Sequence, residues 1–301
     1  MDDAAASAAS LATPGARRPL LAIALAYLAL ASGIMIWQGL IVTPDYLLLI
    51  LVPVALVSGN VVRFLADWVP FLALLLGWEA MRGIAGRSGI APHVNDLASM
   101  ELWLFHGHLP TAELQSAVGW AGLSLQVDYL CTVVYFCHFV LPIAIALALW
   151  MRDRRQFLRF TITLVGMSFS LFVVYLLIPS GAPWYAQDQG VIGGFRHVIG
   201  TTLPGYISPY YAALNPNRFA AMPSLHAAYP FLGFLALRAV APRAAAAALA
   251  WCLLVWLSIV YLGDHYVIDA VAGVATATVA WLVMTRLIAP HLASLRAPVH
   301  A

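Results

Sequence analysis

The sequence predicts an all-α, polytopic transmembrane helical bundle of about eight spans, and three observations carry that expectation. Of the 301 residues, 63% are hydrophobic and only 9% are charged. Soluble domains carry roughly 25% charged residues, so this chain cannot build a water-facing surface over its length, and lipid must solvate most of it. Apolar runs long enough to cross about 30 Å of hydrocarbon recur along the sequence. The arginines cluster in the connections, and an even number of spans gathers those clusters on one side.

The chain opens on an Ala/Ser-rich stretch, 1–19, that ends in Arg17 and Arg18. Asp2 and Asp3 at its start, and the apolar run that follows, argue against a cleaved signal peptide. The expectation is a disordered cytoplasmic tail before a retained first helix. Spans are expected at Leu20–Trp37, Tyr46–Val62, Trp68–Met81, Tyr129–Met151, Phe157–Ile178, Phe219–Val240, Ala244–Leu262 and Val267–Ile288. The third is short and holds Pro70, the pattern of a re-entrant or tilted segment. Residues 20–290 then form one integral membrane domain, and 291–301 a second cytoplasmic tail.

With eight spans, Arg17 and Arg18, Arg152 to Arg159, Arg238 with Arg243, and Arg286 with Arg296 share a side. The positive-inside rule makes that side the cytoplasm and puts both termini there, in a bacterial-type inner or plasma membrane. Arg82, Arg87, Arg196 and Arg218 fall opposite. Two longer polar stretches also face outward. The first, 83–126, mixes Trp103 and Trp120 with Asp96, Glu101 and Glu113, as short amphipathic helices lying in the interface would. The second, 179–218, is rich in Pro, Gly and Tyr, carries Trp184, and reads as an ordered loop or lid.

Composition removes several function classes. All fifteen basic residues are Arg, with no Lys, which excludes a Schiff-base lysine and a P-loop lysine. A phosphate site has to use Arg, His, hydroxyls or backbone N–H groups. No basic cluster resembles a nucleic-acid footprint. Cys131, Cys137 and Cys252 sit in apolar runs, as buried small hydrophobes do, and no Cys/His zinc spacing exists. His106-Gly107-His108 lacks a third ligand nearby in the sequence, so no metal and no cofactor are expected.

Two segments stand out, and the predicted topology brings both to the non-cytoplasmic boundary. In Gly263-Asp264-His265-Tyr266-Val267-Ile268-Asp269, His265 and Asp269 are spaced i,i+4 and share a helix face. A carboxylate there fixes the imidazole tautomer and leaves the other nitrogen free to attack. A carboxylate in an otherwise apolar helix is costly unless it faces a partner or a cavity. In Ala221-Met222-Pro223-Ser224-Leu225-His226-Ala227, Pro223 suits a first helical turn. The N–H groups of Ser224, Leu225 and His226 would then be aimed outward as an anion site, with the Ser224 hydroxyl as a further donor. His226 is placed to protonate a leaving oxygen. Together these groups describe phosphoryl transfer through a phosphohistidine.

At these residues the chain resembles the type 2 phosphatidic acid phosphatase superfamily. Pro-Ser-Leu-His at 223–226 and His-Tyr-Val-Ile-Asp at 265–269 look like that family's second and third motifs. The fuller pattern is similar to the inositol phosphorylceramide synthase branch: YFCHFVLP at 135–142, APWY at 182–185, AMPSLH at 221–226 and YLGDHYVIDAVAG at 261–273. The resemblance covers roughly 100–290, the expected catalytic core. It implies His265 as nucleophile, Asp269 as its partner and His226 as acid/base. It departs from the family at two points: no Lys-x6-Arg-Pro first motif exists, and Ile259 stands where the third motif has Arg. Both departures leave the phosphate-binding cations to be assigned. Arg218, eight residues before His226, is the first candidate, Arg196 the second, and Arg82, with Glu79 one turn earlier, the third.

Around this constellation, Tyr135 and His138 share a face of the fourth expected span, either lining the pocket or hydrogen-bonded in the core. Trp184 and Tyr185 either cover a lipid headgroup or belong to an interfacial aromatic belt. The function expected is a membrane lipid phosphatase or phosphotransferase acting on a phospholipid or other lipid phosphate, either releasing phosphate or passing a phospho-headgroup between lipids. The alternative is a non-catalytic lipid transporter or lipid-binding protein. Against it, the polar residues gather at one face, and no matched halves are visible.

Overall fold

In the computed structural model, the described residues are 61–85, 89–202 and 218–294, with 22, 23, 26, 27 and 30. The five isolated positions are helical. The rest of the expected first span, the expected second span up to residue 60, the tail 1–19, the end of the second tail from 295, and 203–217 of the outer loop lie outside the described residues.

Helices, numbered here in order along the described chain, are α1 (Val61–Ala85), α2 (Asn95–Leu104), α3 (Pro110–Trp120), α4 (Ser124–Arg152), α5 (Arg154–Leu177), α6 (Pro183–Asp188), α7 (Ile199–Thr202), α8 (Leu225–Leu237), α9 (Pro242–Tyr261), α10 (Val267–Val283) and α11 (Ala289–Ser294), with a π-helical turn Met284–Ile288 between the last two. Among the described residues there is no strand, only two isolated bridges joining His93 to Ser180 and Ser180 to Ala220. The chain is an all-α polytopic bundle. Among the described residues, four segments are long and apolar enough to cross a membrane: Val61–Met81, Arg154–Leu177, Pro242–Tyr261 and Val267–His291. Ser124–Cys137 with Val140–Arg152 makes a fifth if the pair crosses as one.

Two spans differ from expectation. The third is no short re-entrant segment: Pro70 sits inside a continuous 25-residue helix. The sixth is shorter than expected. Only Leu225–Leu237, 13 residues, is helical, about 20 Å at 1.5 Å per residue. Its expected first turns are diverted, because the 219–222 backbone pairs with the outer loop. Ser180 donates its N–H to the Phe219 carbonyl (2.9 Å), and Ala221 donates to the Ser180 carbonyl (3.2 Å). The Met222 N–H bonds the Ser180 hydroxyl (2.8 Å). These groups are satisfied without a helix.

The chain divides into two compact units. In the first, described over 61–77 and 139–162, Trp68 stacks on Phe64 (5.4 Å) and meets Phe71 and Phe157. Asp67, buried in apolar α1, accepts from Arg154 and from the Trp150 indole (2.9 Å), the pairing an intramembrane carboxylate needs. The second unit, described over 78–138 and 163–294, holds both histidine motifs. There α8 packs between α9 and α10. Ile259, Val260, Tyr261 and Leu262 from the end of α9 form a core with Cys131, Val134 and Tyr135 of α4 and with Val198 and Ile199. The first of the two expected outward stretches holds the short helices α2 and α3, with Trp103 78% and Trp120 91% exposed.

Candidate active site

Gly273 sets the closeness of α8 and α10. A Cβ there would lie 2.2 Å from the Ser224 carbonyl oxygen, so only glycine lets the backbones approach this far. At that contact the Ser224 N–H donates to the Asp269 carbonyl (3.0 Å). Tyr175 fixes the preceding residue by donating its hydroxyl to the Pro223 carbonyl (2.6 Å). Ser224 is the N-cap of α8, its hydroxyl oxygen accepting the Ala227 N–H (3.3 Å).

This corrects two details of the sequence reading. Pro223 precedes the cap rather than opening the helix. Ser224 is fully buried: its N–H joins α8 to α10, and its hydroxyl oxygen caps α8. Leu225 follows as the first helical residue, also buried.

The docking brings His226 and His265 together: His226 Nδ1 lies 3.2 Å from His265 Nε2. The other His265 nitrogen, Nδ1, is 3.4 Å from Asp269 Oδ2, at the outer limit of a hydrogen bond. A carboxylate only accepts, so His265 donates Nδ1–H to Asp269. That leaves Nε2 as an acceptor facing His226. Asp269 Oδ2 also accepts the Tyr266 N–H (2.9 Å). Asp269 is fully buried, and its Oδ1 has no partner among the described residues. Tyr135 stacks on His226, the ring centroids 4.3 Å apart.

The histidine loop is built from both sides. Gly263, at φ +81, makes the turn after α9, and Phe195 fills the space where a Cβ would project (2.9 Å). Its carbonyl accepts the Trp184 N–H (3.0 Å). Trp184 stacks on His197 (5.1 Å, 10°), and His197 Nε2 is 3.3 Å from Asp264 Oδ1. Tyr185 meets Trp184 and Phe219 edge-on.

The three candidate phosphate cations fare differently. Arg196 is held by Asp128, its guanidinium nitrogens 3.0 and 3.2 Å from the two carboxylate oxygens, while Tyr261 donates its hydroxyl to the same group (2.6 Å). Arg218 is exposed at the edge of the outer loop. The side chains of Arg82 and His138 lie outside the described residues, although both positions are helical.

Four residues without a local signal in the sequence complete the scaffold. Glu101 on α2 accepts the N–H groups of Val267 (2.8 Å) and Ile268 (3.3 Å). Gln115 on α3 donates to the carbonyls of Arg196 (2.9 Å) and Tyr261 (2.7 Å). Thr111 donates to the Val260 carbonyl (2.9 Å). Asp128 is the fourth. With Tyr266 N–H on Asp269 and the next two on Glu101, the N-terminus of α10 is closed to an external anion. Burial pushes the Glu101 carboxyl above its ordinary range, against the lowering effect of the Val267 and Ile268 N–H groups. Burial likewise raises the Tyr266 phenol. His108 Nδ1 bonds Glu113 (2.9 Å), a partner the sequence reading did not see. Among the described residues no three His, Cys, Asp or Glu side chains gather as a metal site.

Comparison with known proteins places these motifs. The profile of the PAP2 superfamily matches residues 95–283. A curated relative, phosphoinositol dihydroceramide synthase of Bacteroides thetaiotaomicron, is 32% identical over 115 residues, 34% of this chain and 36% of the relative. The likeness therefore spans about a third of that protein's length. No solved structure matches the chain.

Proposed function

The chain belongs to the PAP2 superfamily, and from that premise we propose that it is a membrane enzyme that moves a phosphoryl-containing group from a lipid donor, with His265 as nucleophile, Asp269 as its orienting carboxylate and His226 as acid and base. The observation that carries the reading is the chain of contacts Asp269–His265–His226, with 3.4 and 3.2 Å between the facing atoms.

The Nε2 lone pair of His265 attacks phosphorus and forms the N–P bond. The P–O bond to the departing alcohol breaks, and the alkoxide takes the proton of His226. An acceptor hydroxyl or water then attacks the phosphohistidine, gives its proton to His226, and breaks the N–P bond. Asp269 stabilises the charge that His265 gains during the first step. Reacting atoms stand about 3–3.5 Å apart before bond formation, so phosphorus has to occupy the place where His226 Nδ1 now lies, and His226 gives way along the Tyr135 ring as substrate enters.

Transfer is favoured over hydrolysis by the name of the relative, a synthase of phosphoinositol dihydroceramide, so a phospholipid headgroup is the group moved and a lipid hydroxyl its acceptor. The arginine clusters support a site on the non-cytoplasmic side with both termini inside. The chemistry calls on imidazoles and hydrogen-bond donors alone, so activity is expected to persist in chelator.

Turnover of labelled phospholipids in detergent, with and without a ceramide-type acceptor, tests the reading. Headgroup transfer that disappears in His265→Ala and survives EDTA is expected. Wild-type turnover unchanged by His265→Ala would overturn the assignment of the nucleophile. Free phosphate alone, whatever acceptor is offered, would overturn transfer.

A further inference from the structure

Glu101 is a buried carboxylate, 1% exposed, on the ten-residue helix α2. It reaches across 166 residues of sequence to the first turn of α10 and uses one oxygen for each of two N–H groups. Those donors belong to Val267 and Ile268, two and three residues beyond His265 and immediately before Asp269. On the other side of His265, Thr111 and Gln115 of the adjoining helix hold the carbonyls of Val260 and Tyr261. The helix pair α2–α3 thus brackets the 260–268 loop and grips it before and after the histidine.

A buried carboxylate is expensive unless hydrogen-bonded. Two backbone N–H groups at a helix start are strong partners for it. The geometry also gives each carboxylate its own share of the turn: Asp269 takes the Tyr266 N–H, and Glu101 takes the next two. Without Glu101 those two donors would compete for Asp269, whose Oδ2 is already shared between Tyr266 and a loose contact with His265.

We propose that Glu101 is the positioning residue of the His265–Asp269 dyad: it holds the first turn of α10 from the α2–α3 helix pair, so that Asp269 faces His265 and His265 Nε2 faces the phosphoryl site. This rests on the reading of His265 as nucleophile. Glu101 does not touch substrate; it acts through the turn.

The test uses the full chain in detergent and orthovanadate, a phosphoryl mimic that binds only where the nucleophile and its partners are correctly placed. Vanadate affinity and lipid turnover are measured for wild type, His265→Ala, Glu101→Ala, Glu101→Gln and Glu113→Ala. Glutamine keeps the volume and one acceptor but turns a donor toward the second N–H, so it is expected to retain part of what alanine loses. The expected result is at least a tenfold loss of vanadate affinity and of kcat in Glu101→Ala, with KM for the lipid nearly unchanged and Glu101→Gln in between. Glu113→Ala, which removes an exposed carboxylate from the same helix pair, is expected to match wild type.

Glu101→Ala and Glu101→Gln that bind vanadate and turn over like wild type, while His265→Ala does neither, would overturn the proposal and leave the nucleophile standing. A lower melting temperature with kcat intact would also overturn it, since the role would then be structural only. Vanadate binding equal in wild type and His265→Ala would instead remove the reading on which the proposal rests.

Discussion

Replacing Gly273 by alanine puts a methyl carbon 2.2 Å from the Ser224 carbonyl oxygen and 3.3 Å from the Ala227 Cβ. Both neighbours are buried, and the closer is backbone, so neither yields as a flexible side chain would. Reaching even 3.0 Å, below which real Cβ atoms essentially never go, requires α8 and α10 to part by about 0.8 Å at this point. The displacement falls on the contact between the two histidines. Ser224 is two residues from His226, and Gly273 is one helical turn beyond Asp269. The 3.2 Å separation of the histidines and the Ser224–Asp269 hydrogen bond both cross the same junction. Overpacking of this kind costs about 1–3 kcal/mol of stability. A misplacement near 1 Å in reacting groups costs on the order of a hundredfold in rate. Purified Gly273→Ala should therefore unfold at a lower temperature and, at a temperature where it is folded, turn over lipid roughly a hundred times more slowly. A rate within about threefold of wild type, with an unchanged melting temperature, would refute the idea that this close approach sets the geometry.

The other predictions concern separate parts of the scaffold. His226→Ala should lower kcat by about 10²–10⁴, the range for a general acid or base, and a substrate with a very good leaving group should restore the rapid first release of that group while the second step, which needs His226 as base, stays slow; a first release slowed equally on both substrates would argue against protonation as its role. Glu101 has a raised folded-state pKa, so the unfolded chain holds fewer protons as pH falls toward the ordinary glutamate range, and folding gains stability in that window. Melting temperatures of wild type and Glu101→Gln should therefore diverge in favour of wild type as pH falls toward the ordinary glutamate range, and a gap that stays constant would contradict the raised carboxyl. Asp128→Asn should destabilise the protein by about 1–3 kcal/mol, because Arg196 and Tyr261 lose a charged acceptor, while KM for lipid holds; a rise in KM with stability unchanged would return Arg196 to the phosphate site.

The residues of the contact chain were legible because their relations are local. His265 and Asp269 are one turn apart, and the PSLH segment marks a helix start, so spacing alone placed three chemically active groups at two helix ends. The all-α membrane class was equally plain from composition. What supports the site was not legible, because each support spans the sequence. Glu101 reads as one acid on an amphipathic helix until α10 is seen to end on it, 166 residues away. Gly273 looks like any glycine in an apolar helix; its reason is the Ser224 carbonyl on another element. Arg196 looked available for phosphate because Asp128 lies 68 residues earlier in the chain. The length of α8 was overestimated because hydropathy counts Phe219 to Met222 as apolar, whereas their backbone pairs with Ser180. Local chemistry is written in spacing, but the contacts that aim it come from segments far apart in the sequence.

The proposed mechanism stands on a covalent phosphohistidine at His265. Acid-quenched enzyme, mixed for milliseconds with a phospholipid labelled at its phosphorus, is digested and the labelled peptide sequenced. The expected label survives alkali, is lost in acid, maps to the peptide containing His265, and is absent from His265→Ala. Label carried by a different residue, or turnover of the same lipid by His265→Ala at the wild-type rate, would contradict it.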